Sequence, residues 1–304
     1  MPSRRTWLPS IRVGVVFLSG VLASILATVS LEGQTSTRRT AWGAPDLQGT
    51  WVIVENAPLE RHDPEDSARL AALTRWFPGG PTGFGGLAGV NEPSRVNRTA
   101  LVIDPPTGRI PMRPSAMAKR DDKLTRLTDS YEHHTLWERC ITRGPVLLPS
   151  LYNNGYQILQ TPEHVAFVHE MIHEFRLVPL DGRTRSATDR WLGEPRGRWD
   201  GDTLVIETAN YREGTILASS IQSLSLRGLP HSSALRTVER LILRDENTLD
   251  YELLVDDPQT YTSKWKVAFS VKRQEQYKIY EYACHEGNYG LPNSLSGARA
   301  EERR

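Results

Sequence analysis

The second half of the chain alternates short runs of β-branched and aromatic residues with turn sequences. Two of these turns, Asp200-Gly201-Asp202 and Asp245-Glu246-Asn247, have the composition of tight β-hairpins. The runs lie about ten residues apart, and no helical pattern separates them. They cover residues 156–160, 164–180, 199–208, 234–244, 248–256, 264–272 and 276–283. The pattern predicts an antiparallel barrel or a strongly bent sandwich, and it disfavours a parallel α/β fold.

The first half of the chain has fewer strand patterns. Residues 47–54 and 99–103 predict two strands, whereas 64–76 and 114–130 predict two short helices. Residues 55–93 are rich in Gly and Pro, which favours an irregular segment wrapped on the sheet. The sequence therefore predicts a mainly β protein with one domain at 47–298, a polar leader at 34–46 and a charged tail at 299–304.

The N-terminus has the pattern of an export signal. Arg4, Arg5 and Arg12 form a basic region, and residues 13–31 are apolar and rich in small side chains. Residues 3–8 also resemble the twin-arginine export motif. No A-x-A cleavage site follows the apolar region, so an uncleaved anchor is the alternative interpretation of residues 1–33. Both interpretations place the folded domain in the periplasm or outside the cell.

The charge balance bears on the class of partner, and the cysteine content bears on a possible disulfide. The 37 Lys and Arg residues balance 36 Asp and Glu residues, so no net field attracts nucleic acid. Beyond the signal or anchor, nothing predicts contact with a membrane. Cys140 and Cys284 are an even pair in an oxidising compartment, so they predict either a disulfide or two buried thiols.

Two resemblances accompany these patterns. Gly49-x-Trp51 followed by a meander of antiparallel strands resembles the lipocalin or calycin barrels. The blocks YNNGYQILQTPEHVAFVHEMIHEFRLVPLDGR, WLGEPRGRWDGDTLVIETANY, ERLILRDENTLDYELLVDDPQTYT and YEYACHEGNYGLPNSL resemble an uncharacterised family of exported bacterial proteins over residues 44–298. The first resemblance implies a barrel, and the second implies no activity.

The chain contains one H-E-x-x-H sequence, at His169-Glu170-Met171-Ile172-His173. On a helix, this spacing would place His169 and His173 as zinc ligands and Glu170 as the base of a hydrolase. Thr161-Pro162-Glu163 supports a helix start. However, the run continues without a break into a turn at Asp181-Gly182, and the metzincin extension is absent. We therefore favour a strand over 164–180.

On such a strand, alternation places His169, Met171, His173 and Phe175 on one face. The loop after the last predicted strand contains His285 and Glu286. Together with His169 and His173, these residues would form a three-histidine set suited to a divalent metal or to acid–base catalysis. The alternative is that the histidines are structural. The sequence does not choose between zinc, another divalent metal and no cofactor.

Further candidates for ligand contact are Tyr152, Asn153, Arg176 and Trp191. His133 and His134 lie in a polar stretch, where we expect them to face solvent. The leading hypothesis is an exported barrel that binds or modifies a small organic ligand in a cavity lined by His, Glu and Arg. A zinc hydrolase and a non-catalytic envelope protein are the alternatives, and the sequence does not establish whether the protein is an enzyme.

Overall fold

A computed structural model describes residues 38–53, 57, 59–61, 65, 99–148, 155–214, 217 and 229–304. The export signal, most of the Gly/Pro-rich segment, most of the helix predicted at 64–76, and the candidates Tyr152 and Asn153 lie outside these residues.

The described residues contain ten β-strands and two α-helices, which confirms the mainly β prediction. The strands are β1 (Gly49–Ile53), β2 (Val102–Asp104), β3 (Gly155–Gln160), β4 (His164–His169), β5 (Phe175–Pro179), β6 (Glu194–Asp200), β7 (Thr203–Ala209), β8 (Arg236–Asp245), β9 (Thr248–Asp256) and β10 (Trp265–Arg273). The helices are α1 (Pro114–Thr125) and α2 (Gly290–Glu301). Neither described helix has the length and apolar character needed to cross a membrane.

All ten strands belong to one antiparallel sheet that curls into a nearly closed barrel. Its order is β5-β4-β3-β1-β10-β9-β8-β7-β6, with the short β2 paired to β10. At the seam, a Cβ on Gly197 of β6 would lie 2.8 Å from Val178 Cγ1 and 2.6 Å from Leu180 Cδ2. Glycine therefore permits the two end strands of the sheet to come together.

Alternation along the strands builds the core of the barrel. In β10, the buried residues Trp265, Val267, Phe269 and Val271 alternate with partly exposed ones. The neighbouring strand β9 repeats the period, and the rings of Tyr251 and Phe269 lie 5.0 Å apart. Each fully buried large apolar side chain contributes about 1.5–3 kcal/mol, so this alternation is the main source of stability.

Two predicted strands are wrong. Residues 164–180 form a hairpin of β4 and β5 instead of one strand, and the His169 amide closes it by donating to the Glu174 carbonyl at 2.8 Å. Residues 276–283 form no strand and instead run across the outside of the hairpin turn, held by contacts described below. The predicted turns at Gly201-Asp202 and Glu246-Asn247 are confirmed between β6 and β7 and between β8 and β9.

One segment without regular structure belongs to the core. Residues 142–148 are all buried, and Val146, Leu147 and Leu148 pack in the main hydrophobic cluster. The segment starts two residues after Cys140, which forms a disulfide with Cys284 and has its Cα 5.6 Å from that of the partner cysteine. The bond joins this buried segment to the C-terminal part of the chain.

We predict that Gly197→Val destabilises the barrel by about 1–3 kcal/mol, because the new side chain would overlap Val178 at the seam. Urea unfolding measures the change. Gly297→Ala in α2 is the control, since a Cβ there meets nothing within 4 Å. Equal stability of the Gly197→Val and wild-type proteins would contradict a seam closed by β5 and β6.

Candidate functional site

The H-E-x-x-H sequence forms the turn between β4 and β5. Ile172 and His173 have φ values of 63° and 40°, so the chain reverses with two non-glycine residues in the left-handed region. His169 is 1% exposed inside the barrel, whereas His173 is exposed outside it. The prediction that both share one strand face is therefore wrong, and the turn provides neither the helix nor the common face that a zinc site of this type requires.

Glu170 is fully buried and binds the C-terminal part of the chain. Its carboxylate lies 2.6 and 2.8 Å from the Tyr277 hydroxyl and accepts the Tyr280 N–H at 3.1 Å. It also accepts the Gly155 N–H at 3.3 Å. A Cβ on Gly155 would lie 2.8 Å from this carboxylate, so glycine is needed for the close approach. The predicted catalytic base is therefore occupied by structural hydrogen bonds.

His173 makes a second contact to the same part of the chain. Its Nδ1 lies 2.9 Å from the Tyr282 carbonyl, so this ring nitrogen is the protonated one and donates. Glu170 and His173 thus hold residues 277–282 against the hairpin turn. Two of the three functional residues of the motif position the C-terminal segment, which forms one wall of the cleft described below.

His169 instead faces a buried polar group inside the barrel. Its ring makes an edge contact with Tyr156, with centroids 4.8 Å apart, and its Nδ1 lies 3.9 Å from Glu174 Oε2. Burial lowers the pKa of His169 well below its ordinary value, and nearby Arg143 and Arg176 add to this. Burial also raises the pKa of Glu174 to about 7. Although the two groups are close enough for an ion pair, both shifts favour the neutral forms, so the contact joins two neutral groups at pH values below the pKa of Glu174 and above that of His169.

Arg176 takes part in a buried network that spans the barrel interior. Its guanidinium donates to both carboxylate oxygens of Glu239 at 2.5 and 3.0 Å and to the Thr208 hydroxyl at 3.0 Å. Tyr251 donates to the same carboxylate at 3.0 Å. The side chains of Arg176 and Glu239 are at most 1% exposed. Arg176 therefore joins β5 to β8, and its head group is engaged within the protein.

A cleft of about 550 Å³ lies outside the barrel, beside the disulfide. We call it the disulfide cleft. One wall comes from the chain before Cys140 and includes His134, Trp137 and Glu138. The other wall comes from the C-terminal segment and the start of α2, and includes Glu281, Tyr282, Glu286, Asn288 and Leu291. Its volume lies in the range of about 300–1,000 Å³ that is typical of small-molecule sites.

The two walls are joined by more than the disulfide. The Asn288 amide donates to the Glu138 carbonyl at 3.3 Å and lies 3.3 Å from Cys140 Sγ. Arg299 of α2 donates to the Thr128 carbonyl at 2.8 Å, just beyond the end of α1. Because Glu170 and His173 hold the same C-terminal segment from the other side, the cleft walls are fixed to the barrel at several points.

His134 provides a buried imidazole at the cleft, which contradicts the expectation that it faces solvent. Its side chain is 7% exposed, and its Nδ1 lies 3.6 Å from Glu138 Oε1. Its other ring nitrogen, Nε2, is buried without a hydrogen-bond partner in the described part of the chain. Glu138 is itself held by the backbone N–H and the hydroxyl of Thr135, at 2.9 and 3.0 Å.

The structure separates the remaining predicted residues. Glu286 lines the disulfide cleft, whereas the neighbouring His285 is exposed and is not among the lining residues. Trp191 lies before β6, where its ring is covered by the Arg212 guanidinium at 4.6 Å. The predicted set of His169, His173 and His285 does not form, and no group of three or more His, Cys, Asp or Glu among the described residues is placed to hold a metal ion.

Sequence reasoning missed the wall formed by His134, Trp137 and Glu138. The available signal was their position just before Cys140, because a disulfide would bring them to the Cys284-His285-Glu286 loop.

Comparison of the chain with known proteins finds no matching protein family, curated protein or solved structure. Of the resemblance to lipocalin or calycin barrels, the structure supports only the general feature, a barrel-like antiparallel sheet.

We predict that Arg176→Met costs about 3–5 kcal/mol, because it leaves the buried Glu239 carboxylate without its cation. Adding Glu239→Gln removes that charge, and we expect the double variant to regain about 1–3 kcal/mol. Urea unfolding measures both. A double variant no more stable than Arg176→Met would show that the unpaired charge is not the source of the loss.

We predict that the stability of Glu174→Gln relative to the wild type rises with pH. The folded-state pKa of Glu174, about 7, lies above its ordinary value of 4.5. The wild type therefore loses stability as pH rises through this interval, whereas glutamine does not titrate. At about 1.4 kcal/mol per pKa unit, the difference should grow by up to about 3 kcal/mol. A constant difference between pH 4.5 and about 8 in denaturation experiments would contradict a buried neutral carboxyl.

Proposed function

We propose that the protein is exported and binds a small organic ligand in the disulfide cleft. The observation that carries this proposal is the cleft itself, an open groove of about 550 Å³ between two walls that are fixed by a disulfide and a side-chain hydrogen bond. A preorganised cleft of this size suits a ligand of drug or metabolite size. The proposed ligand position therefore lies outside the barrel and differs from the cavity that the sequence predicted.

The distribution of polar residues supports the cleft over the barrel interior. His169 and Arg176 are buried inside the barrel, where Arg176 is paired with Glu239. Glu286 instead lines the cleft, as do the carboxylates of Glu138 and Glu281. The cavity lined by His, Glu and Arg that the sequence suggested is thus replaced by one lined by His, Glu and aromatic side chains.

Export is part of the proposal and is supported by the sequence. Residues 1–33 have a basic region followed by an apolar one, and the disulfide suits an oxidising compartment. Whether the protein also modifies its ligand depends on the ligand's chemistry. The zinc hydrolase alternative gains no support, because the H-E-x-x-H turn directs its histidines to the inside and the outside of the barrel.

Cleft binding can be tested with a blocking variant. We predict that Leu291→Trp fills part of the cleft and weakens binding of cleft ligands at least about tenfold without changing the melting temperature. Ligand-observed NMR with a fragment set of mixed charge identifies the fragments that bind the protein, and titration then measures their affinities. The matched control is Leu159→Trp, which adds the same ring to an exposed leucine on the outside of β3.

The outcome separates a binding protein from the non-catalytic envelope protein of the third hypothesis. Fragments that bind the wild type and Leu159→Trp, but not Leu291→Trp, support the proposal. If no fragment of any charge responds to Leu291→Trp, the cleft is not a ligand site and the proposal fails.

A further inference from the structure

On the described strands β3, β4 and β5, the residues that face away from the barrel interior include no Asp, Glu, Lys or Arg. Alternation points every second side chain of these strands outward. Besides one glutamine and one histidine, the outward residues are apolar, and they include Leu159, Ala166, Val168, Phe175 and Leu177. We call the outer surface of these three strands the β3–β5 face.

The strand register brings the apolar side chains of this face together. Leu159 lies opposite Ala166, and Ala166 lies opposite Leu177, so two leucines flank the alanine across three strands. Ala166 is consequently only 8% exposed, although it points outward. Leu159 and Leu177 remain 46% and 44% exposed, and Phe175, two residues before Leu177, is 55% exposed. Large apolar side chains that are exposed together mark an interaction surface.

The outer surface of β8, β9 and β10 has a different composition. Charged side chains pair across these strands, as Arg244 does with Asp250 and Lys266 does with Glu252 at 3.6 Å. Ile242 is 41% exposed on this surface, two residues before Arg244. A single exposed apolar residue among charged ones is ordinary for a surface in water. The cluster on the β3–β5 face is therefore a local feature of the barrel.

The chain enters the folded domain beside this face. Arg38 is the first described residue, and its carbonyl accepts the Asp46 N–H at 2.8 Å. The neighbouring Pro45 carbonyl accepts the side-chain amide of Gln160 at 3.1 Å. Gln160 is the last residue of β3 and directly follows Leu159. The point of entry is thus bonded to the end of a strand that contributes to the face.

The length of the preceding chain limits how far this end of the domain can lie from a membrane. Residues 13–31 contain no charged residue and are long enough to cross a bilayer, which takes about 20 residues as a helix. Only residues 32–37 separate them from Arg38, and six residues span at most about 20 Å. A chain anchored by residues 13–31 therefore holds the domain within this reach of the lipid.

We propose that residues 1–33 stay on the protein as an anchor and that the β3–β5 face rests on the lipid surface of the same membrane. Leu159, Phe175 and Leu177 enter the interfacial region, where apolar side chains leave water and no charge has to be desolvated. The length of the chain favours the membrane over a second copy of the protein as the occupant of the face. The inference goes beyond ligand binding, since no residue of the face lines the disulfide cleft.

The first test measures lipid contact at two positions. Both native cysteines are in the disulfide, so Leu177→Cys and Ile242→Cys each add the single free thiol that carries an NBD fluorophore. The full-length protein is reconstituted in phosphatidylcholine nanodiscs with or without nitroxide-labelled lipid. We expect the nitroxide to quench the label at position 177 about threefold or more strongly than the label at position 242.

Three results of this test would overturn the inference. Equal quenching at the two positions would show that the contact is not specific to the β3–β5 face. Absence of quenching at position 177 would show that the face does not meet lipid. Blue-shifted emission at position 177 without quenching would show that protein, such as a second copy of the chain, covers the face instead.

The second test places a charge on the face. With the label at Phe175→Cys, the added change Leu177→Glu should lower quenching by nitroxide lipid about threefold, because a carboxylate resists transfer out of water. The matched control is Ile242→Glu, which adds the same charge at a residue of similar exposure and should leave the quenching unchanged. Unchanged quenching in Leu177→Glu, or an equal loss in the control, overturns the inference.

Melting temperatures show whether the variants remain folded. Leu177 and Ile242 are both exposed on strands, so we expect each glutamate variant to fold. If Leu177→Glu does not fold, Leu177→Ser and Ile242→Ser provide the same comparison with a smaller change. Serine removes the apolar side chain without adding a charge, and quenching that falls only in Leu177→Ser supports the inference.

The third test concerns the anchor by itself. The full-length chain is expressed in a bacterium that exports it, and the intact mass of the exported protein is measured. A mass that includes residues 1–33, in the membrane fraction, supports the inference. A mass that lacks these residues overturns it but leaves the proposed function standing, because a cleaved and exported protein keeps the disulfide cleft.

Discussion

The position of the C-terminal segment depends on the buried carboxylate of Glu170. Residues 274–289 form no strand, and they lie mostly at the surface, so hydrophobic burial contributes little to holding them. The Glu170 carboxylate accepts hydrogen bonds from Tyr277 and from the Tyr280 backbone, and hydrogen bonds to a charged group are among the stronger ones in proteins. Together with His173, it aligns the segment that supplies one wall of the disulfide cleft. The wall therefore depends on a turn of the barrel that does not itself line the cleft.

The sheet was largely predictable because its strands have a period of two. In β8, β9 and β10, buried and partly exposed residues alternate almost without exception, and tight turns separate β6 from β7 and β8 from β9. Such local patterns carry the strand assignment and the antiparallel pairing. The prediction failed at β4 and β5, where Ile172 and His173 make the turn without Gly, Asn or Pro. Contacts made by Glu170 and His173 compensate for this backbone conformation, and local sequence does not reveal such contacts.

The candidate site was only partly predictable, for a different reason. The concentration of functional groups in Cys284-His285-Glu286 predicts a site at this loop, and Glu286 lines the cleft. Its opposite wall lies about 150 residues away in sequence and is brought near by the Cys140–Cys284 disulfide. The sequence predicts a ligand contact for Arg176, whereas the structure shows this side chain buried and paired with Glu239. Its partner Glu239 lies 63 residues further along the chain, so a single sequence does not show that the two charges are paired.

The disulfide also has a topological consequence. Cys140 precedes β3 and Cys284 follows β10, so eight of the ten described strands lie inside the covalent ring that the bond closes. A single peptide-bond cut anywhere in that ring, for instance at the exposed Gly201-Asp202 turn, would leave the two halves of the cleft on different fragments but still covalently joined. The nicked chain would run as one molecule without reductant and as two with it. The disulfide would therefore keep the two walls of the cleft covalently joined even after the peptide chain between them is cut.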